Sequence, residues 1–141
     1  MSIEANKAVA RRWLNKETRL EAMDRERYRV VDTPGIPDTD DLETIMRYDE
    51  QDDVRKLFRD LTVKVELIAD GDKVVIPWCM TGTAVAAFKH VSLGVTIPAG
   101  TTITRRGITI LTLDNDKVIE ERTHEDRLGV LEQLGMSPAT R

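Results

Sequence analysis

The chain is poor in cysteine, in aromatic residues and in basic charge. Its single cysteine, Cys79, excludes an internal disulfide. Aromatic residues make up 4% of the chain, which leaves few side chains to stack on nucleic-acid bases. The 21 basic residues are outnumbered by 25 acidic ones, and the net charge of −4 disfavours broad contact with a phosphate backbone. We therefore expect no nucleic-acid partner.

Long apolar runs and several binding motifs are absent too. No apolar stretch of about 18 residues is available to span a bilayer, and MSIEANKAVARRW at the start lacks the apolar centre of a signal peptide. A cytoplasmic location without a membrane partner is the expectation. The sequence has no glycine-rich phosphate loop or dinucleotide fingerprint, and His90 and His124 lack metal-ligand spacing. We expect neither a cofactor nor a metal ion.

What the chain does contain is typical of one globular domain. Hydrophobic residues make up 40% and charged residues 33% of its 141 residues, which is enough to bury a core without a metal or disulfide. The order of the patterns predicts a single α+β domain over residues 1–141. It comprises helices over about 3–61, an antiparallel sheet over about 62–126 and a terminal helix over about 127–134.

The helical part is predicted from apolar spacing and from helix breakers. Apolar residues recur at helical spacing between Ile3 and Asn15, and the pattern continues into KETRLEAM. The stretch DTPGIPDTDD then interrupts it with two prolines and a glycine. Asp40 and Glu43 resemble a capping box for a second helix that starts near Asp41. Two short helices in succession are expected before the first strand.

The sheet part begins where the apolar pattern starts to alternate. LTVKVELI is predicted to be a half-buried strand that ends at the turn ADGD. KVVIPWCMTGTAV is almost continuously apolar, so we expect a covered strand with a bulge or an unpaired edge at Pro77. SLGVTIPAG is predicted to be a loop, and TTITRRGITILTL and KVIEERTHE to be antiparallel strands joined by a tight turn. A short helix follows and ends at Gly135.

The stretch VIEERTHEDRLGVLEQLG, residues 118–135, places many ionisable groups on one predicted strand. Because side chains alternate along a strand, Glu120, Arg122, His124 and Asp126 share one face and the intervening residues share the other. Burying either face would bury charge. The stretch is therefore either a solvated edge or the polar floor of a pocket.

The segments ADGDKVVIPWCMTGT, SLGVTIPAGTTI, RRGITILTL and DNDKVIEERTHEDRLGVLEQLG resemble the SnoaL-like polyketide cyclase family, within the nuclear transport factor 2-like superfamily. The resemblance covers roughly residues 50–136. NKAVARRWL is similar to the family's first helix, whereas residues 18–49 fit poorly. The resemblance implies a cone-shaped fold, in which a strongly curved antiparallel sheet wraps around the N-terminal helices and its last strand lines a central pocket.

The resemblance also implies a catalytic residue. In SnoaL-like cyclases an aspartate of the last strand is the acid/base for an intramolecular aldol closure, and Asp126 matches that position. The alternative is that Asp126 only caps the helix that begins at Arg127. Limonene epoxide hydrolases resemble the same fold but need Arg-x-Asp on a neighbouring strand. The predicted strands lack that motif, which disfavours their reaction.

His124 is the second catalytic candidate, because it shares a strand face with Asp126 and titrates near neutral pH; a hydrogen-bonded wall residue is the alternative. The family commonly has aromatic residues where Arg122 and Arg105 stand, so the ligand is expected to be a small hydrophobic or anionic molecule. Both arginines are also suited to pair with acids across the sheet. Four further residues are predicted to line the pocket, although core packing selects the same types: Trp13, Tyr28, Trp78 and Met80.

If the last strand floors a pocket, Arg122, His124 and Asp126 face inward, and Glu121 and Glu125 face outward. His90 is expected at the surface, because it lies in a predicted loop without a nearby carboxylate.

Two functions are compatible with this pattern. The first is cofactor-free acid/base catalysis of the cyclase, isomerase or dehydratase type, with Asp126 as base and His124 or Arg105 polarising a carbonyl. The second is a non-catalytic ligand-binding or dimerisation module, because a fold does not fix an activity. An open pocket favours the enzyme, and a pocket filled by Arg–Glu pairs favours the module. The broad outer face of the sheet leads us to expect a homodimer or higher homo-oligomer.

Overall fold

The computed structural model describes residues 2–90 and 92–136, so the predicted domain bounds extend past both ends of the described range. The helices are α1 (Ile3–Leu14), α2 (Arg19–Ala22), α3 (Leu42–Gln51), α4 (Val54–Leu57) and α5 (Arg127–Gln133). The strands are β1 (Arg29–Val30), β2 (Phe58–Val65), β3 (Ile68–Asp70), β4 (Lys73–Ala84), β5 (Phe88–Lys89), β6 (Thr96–Ile97), β7 (Thr102–Asp114) and β8 (Lys117–Glu125). None of the helices in this part of the chain has the length and apolar character needed to cross a membrane.

The main sheet is curved and has the strand order β1-β8-β7-β4-β2, with β3 also paired to β4. Its pairs are antiparallel except for β1, which runs parallel to β8. The predicted α+β class and the wrapping of the sheet around N-terminal helices are confirmed. The short strand β1 was not predicted, and SLGVTIPAG is not only a loop, because its β6 pairs with β5 in a separate hairpin.

Local signals in the sequence account for most element ends. Asp41 is the residue before α3, as expected. The predicted capping box of Asp40 and Glu43 is wrong, because Asp41 is the N-cap and its carboxylate accepts from the Thr44 hydroxyl at 2.5 Å. At Pro77 the predicted unpaired edge is confirmed. Pro77 lies opposite the interval between β2 and β3, where its carbonyl accepts the Glu66 N–H at 3.0 Å and no donor is needed from the proline.

The β7–β8 hairpin has a tight turn and then an extra residue. Asn115 and Asp116 take positive φ angles of 50° and 61°, as a two-residue turn between antiparallel strands requires. Beyond the turn, Leu113 pairs with Val118 but Thr112 pairs with Glu120, so Ile119 is a β-bulge in β8. A bulge moves every later side chain of its strand to the opposite face.

The concave face of the sheet carries the core. Beneath α1, residues Val9, Ala10 and Trp13 pack in a cluster with Val74, Ile76, Leu111, Leu113 and Val118. A second cluster joins the far part of the sheet to α5, with Phe58, Met80, Ala84, Ile97, Ile103 and Val130. Each aliphatic side chain that is fully buried in this way contributes about 1.5–3 kcal/mol to folding. A cavity is lined by members of both clusters.

Gly107 makes room for the largest side chain on this face. It lies opposite Trp78 on the neighbouring strand, and the indole packs directly over its Cα. A methyl group on Gly107 would lie 2.8 Å from the His124 carbonyl oxygen and closer still to the Trp78 ring. With that space free, the Trp78 indole N–H donates to the Thr109 hydroxyl at 3.2 Å.

We expect Gly107→Ala to lower the free energy of unfolding by about 1–3 kcal/mol, because the added methyl overpacks the site and displaces Trp78. Chemical denaturation measures the loss, and the tryptophan fluorescence maximum reports the displacement. The neighbouring Ile108→Val, at a side chain that is about half exposed, is the control and should stay within about 0.5 kcal/mol. Equal stability of the Gly107→Ala variant and the parent protein would show that Trp78 does not need this space.

Candidate functional site

A cavity of about 490 Å³ lies between the helices and the concave face of the sheet. This volume is within the range of protein pockets for small organic molecules. Much of the lining is apolar and comes from Leu14, Ile45, Met46, Val65, Trp78 and Met80. Of the residues proposed from sequence, the structure places Trp13, Trp78, Met80 and Arg105 in this lining.

The other predicted site residues lie elsewhere. Tyr28 is buried behind the lining, with its hydroxyl 2.6 Å from Oε1 of Glu121. Arg122 and His124 lie on the convex side of the sheet, where Arg122 Nη1 is 3.8 Å and His124 Nε2 is 3.6 Å from the Asp32 carboxylate. Asp126 is exposed and is the N-cap of α5, accepting the Gly129 N–H at 2.8 Å. The prediction that Arg122, His124 and Asp126 face the pocket is therefore wrong.

The bulge at Ile119 is the physical reason for this error. Strict alternation from the core residue Val118 predicts that the even-numbered positions continue inward. Because the extra residue shifts the register, Glu121, Thr123 and Glu125 point into the cavity instead. The two glutamates that were expected to face outward are thus the ones that the cavity contains.

One buried cluster on the cavity wall consists of Asp52, His90, Arg105 and Glu125, and we call it the Arg105 cluster. Arg105 donates to both oxygens of Glu125 at 2.8 and 3.0 Å and to both oxygens of Asp52 at 3.0 and 3.3 Å. The Arg105 side chain is only 5% exposed. Two carboxylates thus satisfy a guanidinium that would be very costly to bury alone.

His90 completes this cluster and is buried, so the expectation that it lies at the surface is wrong. Its Nδ1 accepts the backbone N–H groups of Ser92 and Leu93 at 3.2 and 3.3 Å. A nitrogen that accepts carries no proton, so the proton is on Nε2, which lies 3.2 Å from Glu125 Oε2 and donates to it. Burial alone would raise the pKa of Glu125, but the hydrogen bonds from His90 and Arg105, the Arg105 charge and the charge of His90 when protonated lower it to about 2.

A second cluster, which we call the Arg19 cluster, consists of Arg19, Tyr28, Asp49 and Glu121. Arg19 Nε and Nη2 donate to the two oxygens of Asp49 at 3.0 and 3.2 Å, and Nη2 also donates to Glu121 Oε1 at 3.3 Å. The guanidinium is stacked on Trp13, with 3.9 Å from its central carbon to the ring centroid. Arg19, Asp49 and Glu121 all line the cavity.

The carboxyl groups of the Arg19 cluster are the ones with raised pKa values. Burial raises the pKa of Glu121, against the lowering effect of the Arg19 charge and the Tyr28 hydrogen bond, and the charge of Asp49 raises it further. Burial likewise raises the pKa of Asp49 against the charge of Arg19. Among the residues that the structure describes, both hydrogen bonds to Glu121 end on Oε1, which leaves Oε2 without a donor.

We expect the free energy of unfolding to fall between about pH 4.5 and pH 2. The folded-state pKa of Glu125 lies below its unfolded value, so its contribution is complete above about pH 4.5 and is lost as the carboxylate takes up a proton near pH 2. The difference corresponds to about 3 kcal/mol. Glu121 and Asp49 act in the opposite sense, because a raised folded-state pKa makes acidification through that pKa stabilising.

Chemical denaturation at a series of pH values measures this dependence, which should show maximal stability in the weakly acidic range. Glu125→Gln removes the titrating group and should flatten the acid limb. If the variant and the parent protein lose stability in parallel below pH 4.5, Glu125 is not the group responsible.

The sequence contains one local signal for these clusters. Asp49, in the last turn of α3, and Asp52, which follows the helix as its C-cap, are three residues apart, a spacing that brings both carboxylates to the same side of the helix end. Their arginine partners come from α2 and β7, and no local pattern joins those segments.

The comparisons with known proteins agree with this architecture. Residues 38–134 match the family model of the SnoaL-like polyketide cyclases. No curated protein matches the chain at a significant level.

Solved structures resemble the chain along almost its whole length. A candidate SnoaL-like polyketide cyclase from Jannaschia sp. CCS1 is 21% identical and matches with a TM-score of 0.73, covering 96% of this chain and 94% of its own. A candidate polyketide cyclase from Acidithiobacillus ferrooxidans is 27% identical, with a TM-score of 0.64 and coverages of 96% and 98%. A nuclear transport factor 2-like protein from Burkholderia xenovorans LB400 is 14% identical, with a TM-score of 0.60 and coverages of 94% and 98%.

These likenesses confirm the α+β fold that the sequence predicted, with its curved sheet and packed helices. The family model extends over well more than half of the chain, from within the segment before α3 to the end of α5. The chain therefore belongs to the SnoaL-like polyketide cyclase family.

Proposed function

We propose that the protein is a cofactor-independent acid/base enzyme that removes a proton next to a carbonyl group of a small polyketide-like ketone and so promotes its cyclisation or isomerisation. One observation carries the proposal. Glu121 is a desolvated carboxylate with a raised pKa, in the wall of an apolar cavity, and its Oε2 accepts no hydrogen bond among the described residues. A carboxylate whose pKa is raised towards the working pH is a more effective general base.

The neighbours of Glu121 hold it in place for this role. Tyr28 and Arg19 both donate to Oε1, which holds the carboxylate in place and leaves Oε2 without a donor among the described residues. Arg19 is fixed in turn by Asp49 and by stacking on Trp13. These residues are positioning residues, and Glu121 is the group that would touch the reacting carbon.

Removal of the proton leaves negative charge on the carbonyl oxygen of the substrate. Nη1 of Arg105 makes one hydrogen bond within the described residues, to Asp52, so one of its two N–H groups can donate to that oxygen. The resulting enolate then attacks a second carbonyl carbon of the same molecule, or takes a proton back at another carbon. Glu121 returns the proton in either case, so the reaction needs no cofactor.

A model ketone tests the proposal without knowledge of the natural substrate. In deuterated buffer, the protein should exchange the α-protons of 2-tetralone faster than acetate at the same concentration does, as measured by proton NMR. Acetate is the control because it supplies the same basic group without a cavity. Binding of the ketone is followed by quenching of the tryptophan fluorescence of the cavity. If the ketone binds but its protons exchange no faster than with acetate, the proposal is refuted.

We expect Asp126→Ala to lower the free energy of unfolding by about 1 kcal/mol, because α5 loses the cap that its side chain provides. Asp126→Asn keeps a capping side chain and should lose less than half of that. Both variants should retain the ketone exchange rate, because Asp126 lies outside the cavity. A folded Asp126→Asn variant without exchange activity would restore the interpretation of Asp126 as the base.

A further inference from the structure

We propose that the cavity selects a ligand that carries a basic amine, so that the substrate is a cationic ketone and Asp52 is the residue that recognises its charge. The inference rests on the proposed function for the carbonyl part of the ligand. It reverses the expectation of an anionic ligand, which came from the presence of Arg105 and Arg122 in the sequence. Its basis is the balance of buried charge on the cavity wall.

Each buried guanidinium of the cavity is matched by two carboxylates. Arg19 contacts Asp49 and Glu121, and its side chain is 19% exposed. Arg105 contacts Asp52 and Glu125 and is less exposed still. When all four carboxyl groups are ionised, each cluster carries one net negative charge. Neither arginine is therefore a free cation that awaits an anionic ligand.

His90 does not compensate for the extra negative charge of the Arg105 cluster. Its Nδ1 already accepts hydrogen bonds from the backbone N–H groups of Ser92 and Leu93. The one N–H of the ring, at Nε2, donates a hydrogen bond to Glu125. A second proton would have to displace both backbone donors. In the tautomer that these hydrogen bonds require, the ring has one proton and adds no charge to the cluster.

The remaining charged residues of the lining do not reverse this balance. Six carboxylates and five cationic side chains line the cavity in all: Asp49, Glu50, Asp52, Asp53, Glu121, Glu125, Lys16, Arg19, Arg55, Arg105 and Arg127. Lys16 is about half exposed and pairs with Asp53 and Glu50, and Arg127 donates to the Ser92 carbonyl at 2.8 Å. Arg127 has no carboxylate partner among the described residues, and its Nε is buried without a hydrogen bond. Its charge offsets one of the two negative charges, so the two clusters and Arg127 together keep one net negative charge.

Asp52 is the most exposed carboxylate of the two clusters. Its side chain is 36% exposed, compared with 30% for Asp49, 12% for Glu121 and 8% for Glu125. Each of its oxygens accepts one hydrogen bond from Arg105 and has room for a second. An ammonium group near Asp52 would also lie in a cavity that contains Trp78 and Tyr48, whose ring faces attract cations. A ligand carboxylate there would be repelled by Asp52 and Glu125, and the nearby guanidinium of Arg105 is already paired with both.

Three 2-tetralones of similar shape test the inference, with dimethylaminomethyl, isobutyl or carboxymethyl groups at the 6-position. Calorimetric titration at pH 7 and low ionic strength should give the tightest binding for the amine, by about tenfold over the isobutyl ketone, and the weakest for the carboxylate. Asp52→Asn should remove most of the advantage of the amine. Asp126→Asn, which removes a carboxylate outside the cavity, should leave the order and the ratios unchanged.

The outcomes separate this inference from the proposed function. If the carboxylate or the isobutyl ketone binds as tightly as the amine to the parent protein, the charge selection is refuted. Ketone exchange in that case would leave the proposed function standing. If the amine binds best but no ketone is exchanged, the proposed function fails and the charge selection is supported. Binding of none of the three would overturn both.

Discussion

Replacing Glu121 with glutamine is expected to slow α-proton exchange of a bound ketone by about 10²- to 10⁴-fold, the usual contribution of a positioned general base. Glutamine keeps the shape of the side chain and an oxygen that can accept from Tyr28 and Arg19. What it lacks is the basic Oε2. The folded structure should persist, because the variant no longer has to bury an ionised group at this position.

The matched control is Glu120→Gln, one residue earlier on the same strand. Glu120 lies on the convex side, where it pairs with Arg29, and its substitution should leave exchange unchanged. The pH profile provides a second readout. In the parent protein the exchange rate should rise with pH through the raised pKa of Glu121 and then level off. If both glutamine variants exchange at the parent rate, Glu121 is not the base.

Arg105→Met is expected to cost about 3–5 kcal/mol of unfolding free energy, the usual cost of breaking a buried ion pair by removing one partner. Without the guanidinium, Glu125 would be a carboxylate only 8% exposed and held by His90 alone. Arg105→Lys keeps the charge but not the paired hydrogen bonds, so it should lose a smaller part. Equilibrium denaturation measures all of these values.

Two further variants make the test of Arg105 specific. Arg106→Met removes a neighbouring exposed arginine from the convex side of the same strand and should stay within about 0.5 kcal/mol. The double variant Arg105→Met with Glu125→Gln should recover part of the loss, because it no longer buries an unpaired charge. A double variant no more stable than Arg105→Met alone would show that the loss comes from packing and not from charge.

The helices and most strands of the fold follow from local patterns in the sequence. The spacing of Val9, Ala10 and Trp13 identifies α1, alternation identifies β2, and a nearly continuous apolar run identifies β4. Each of these signals is contained within the element that it predicts. The strand β1 has no such signal, because its two residues gain their conformation from pairing with β8.

The candidate site was predictable only in part. Trp78 lies on β4 and Arg105 on β7, and the pairing of these two strands has no bulge. Simple alternation along each strand therefore predicts correctly that both side chains face the cavity. Glu121 and Glu125 lie beyond Ile119, so the same rule gives the wrong face for them. The carboxylate partners Asp49 and Asp52 lie at the end of α3, and no local pattern joins them to Arg19 or Arg105. Only tertiary structure brings them to the arginines.

Because the extra residue of β8 is accommodated as a bulge, Glu121, Thr123 and Glu125 face the cavity; the same sequence paired without a bulge would turn Arg122 and His124 inward instead. Deletion of Ile119 would remove the extra residue itself and leave a regular ladder, in which Glu121 still lies opposite Leu111 and still faces the cavity. An alignment that omits this one-residue gap would equate carboxylates of one protein with basic side chains of another. For this chain, the way in which one residue beside the turn is accommodated decides which side chains of β8 line the cavity.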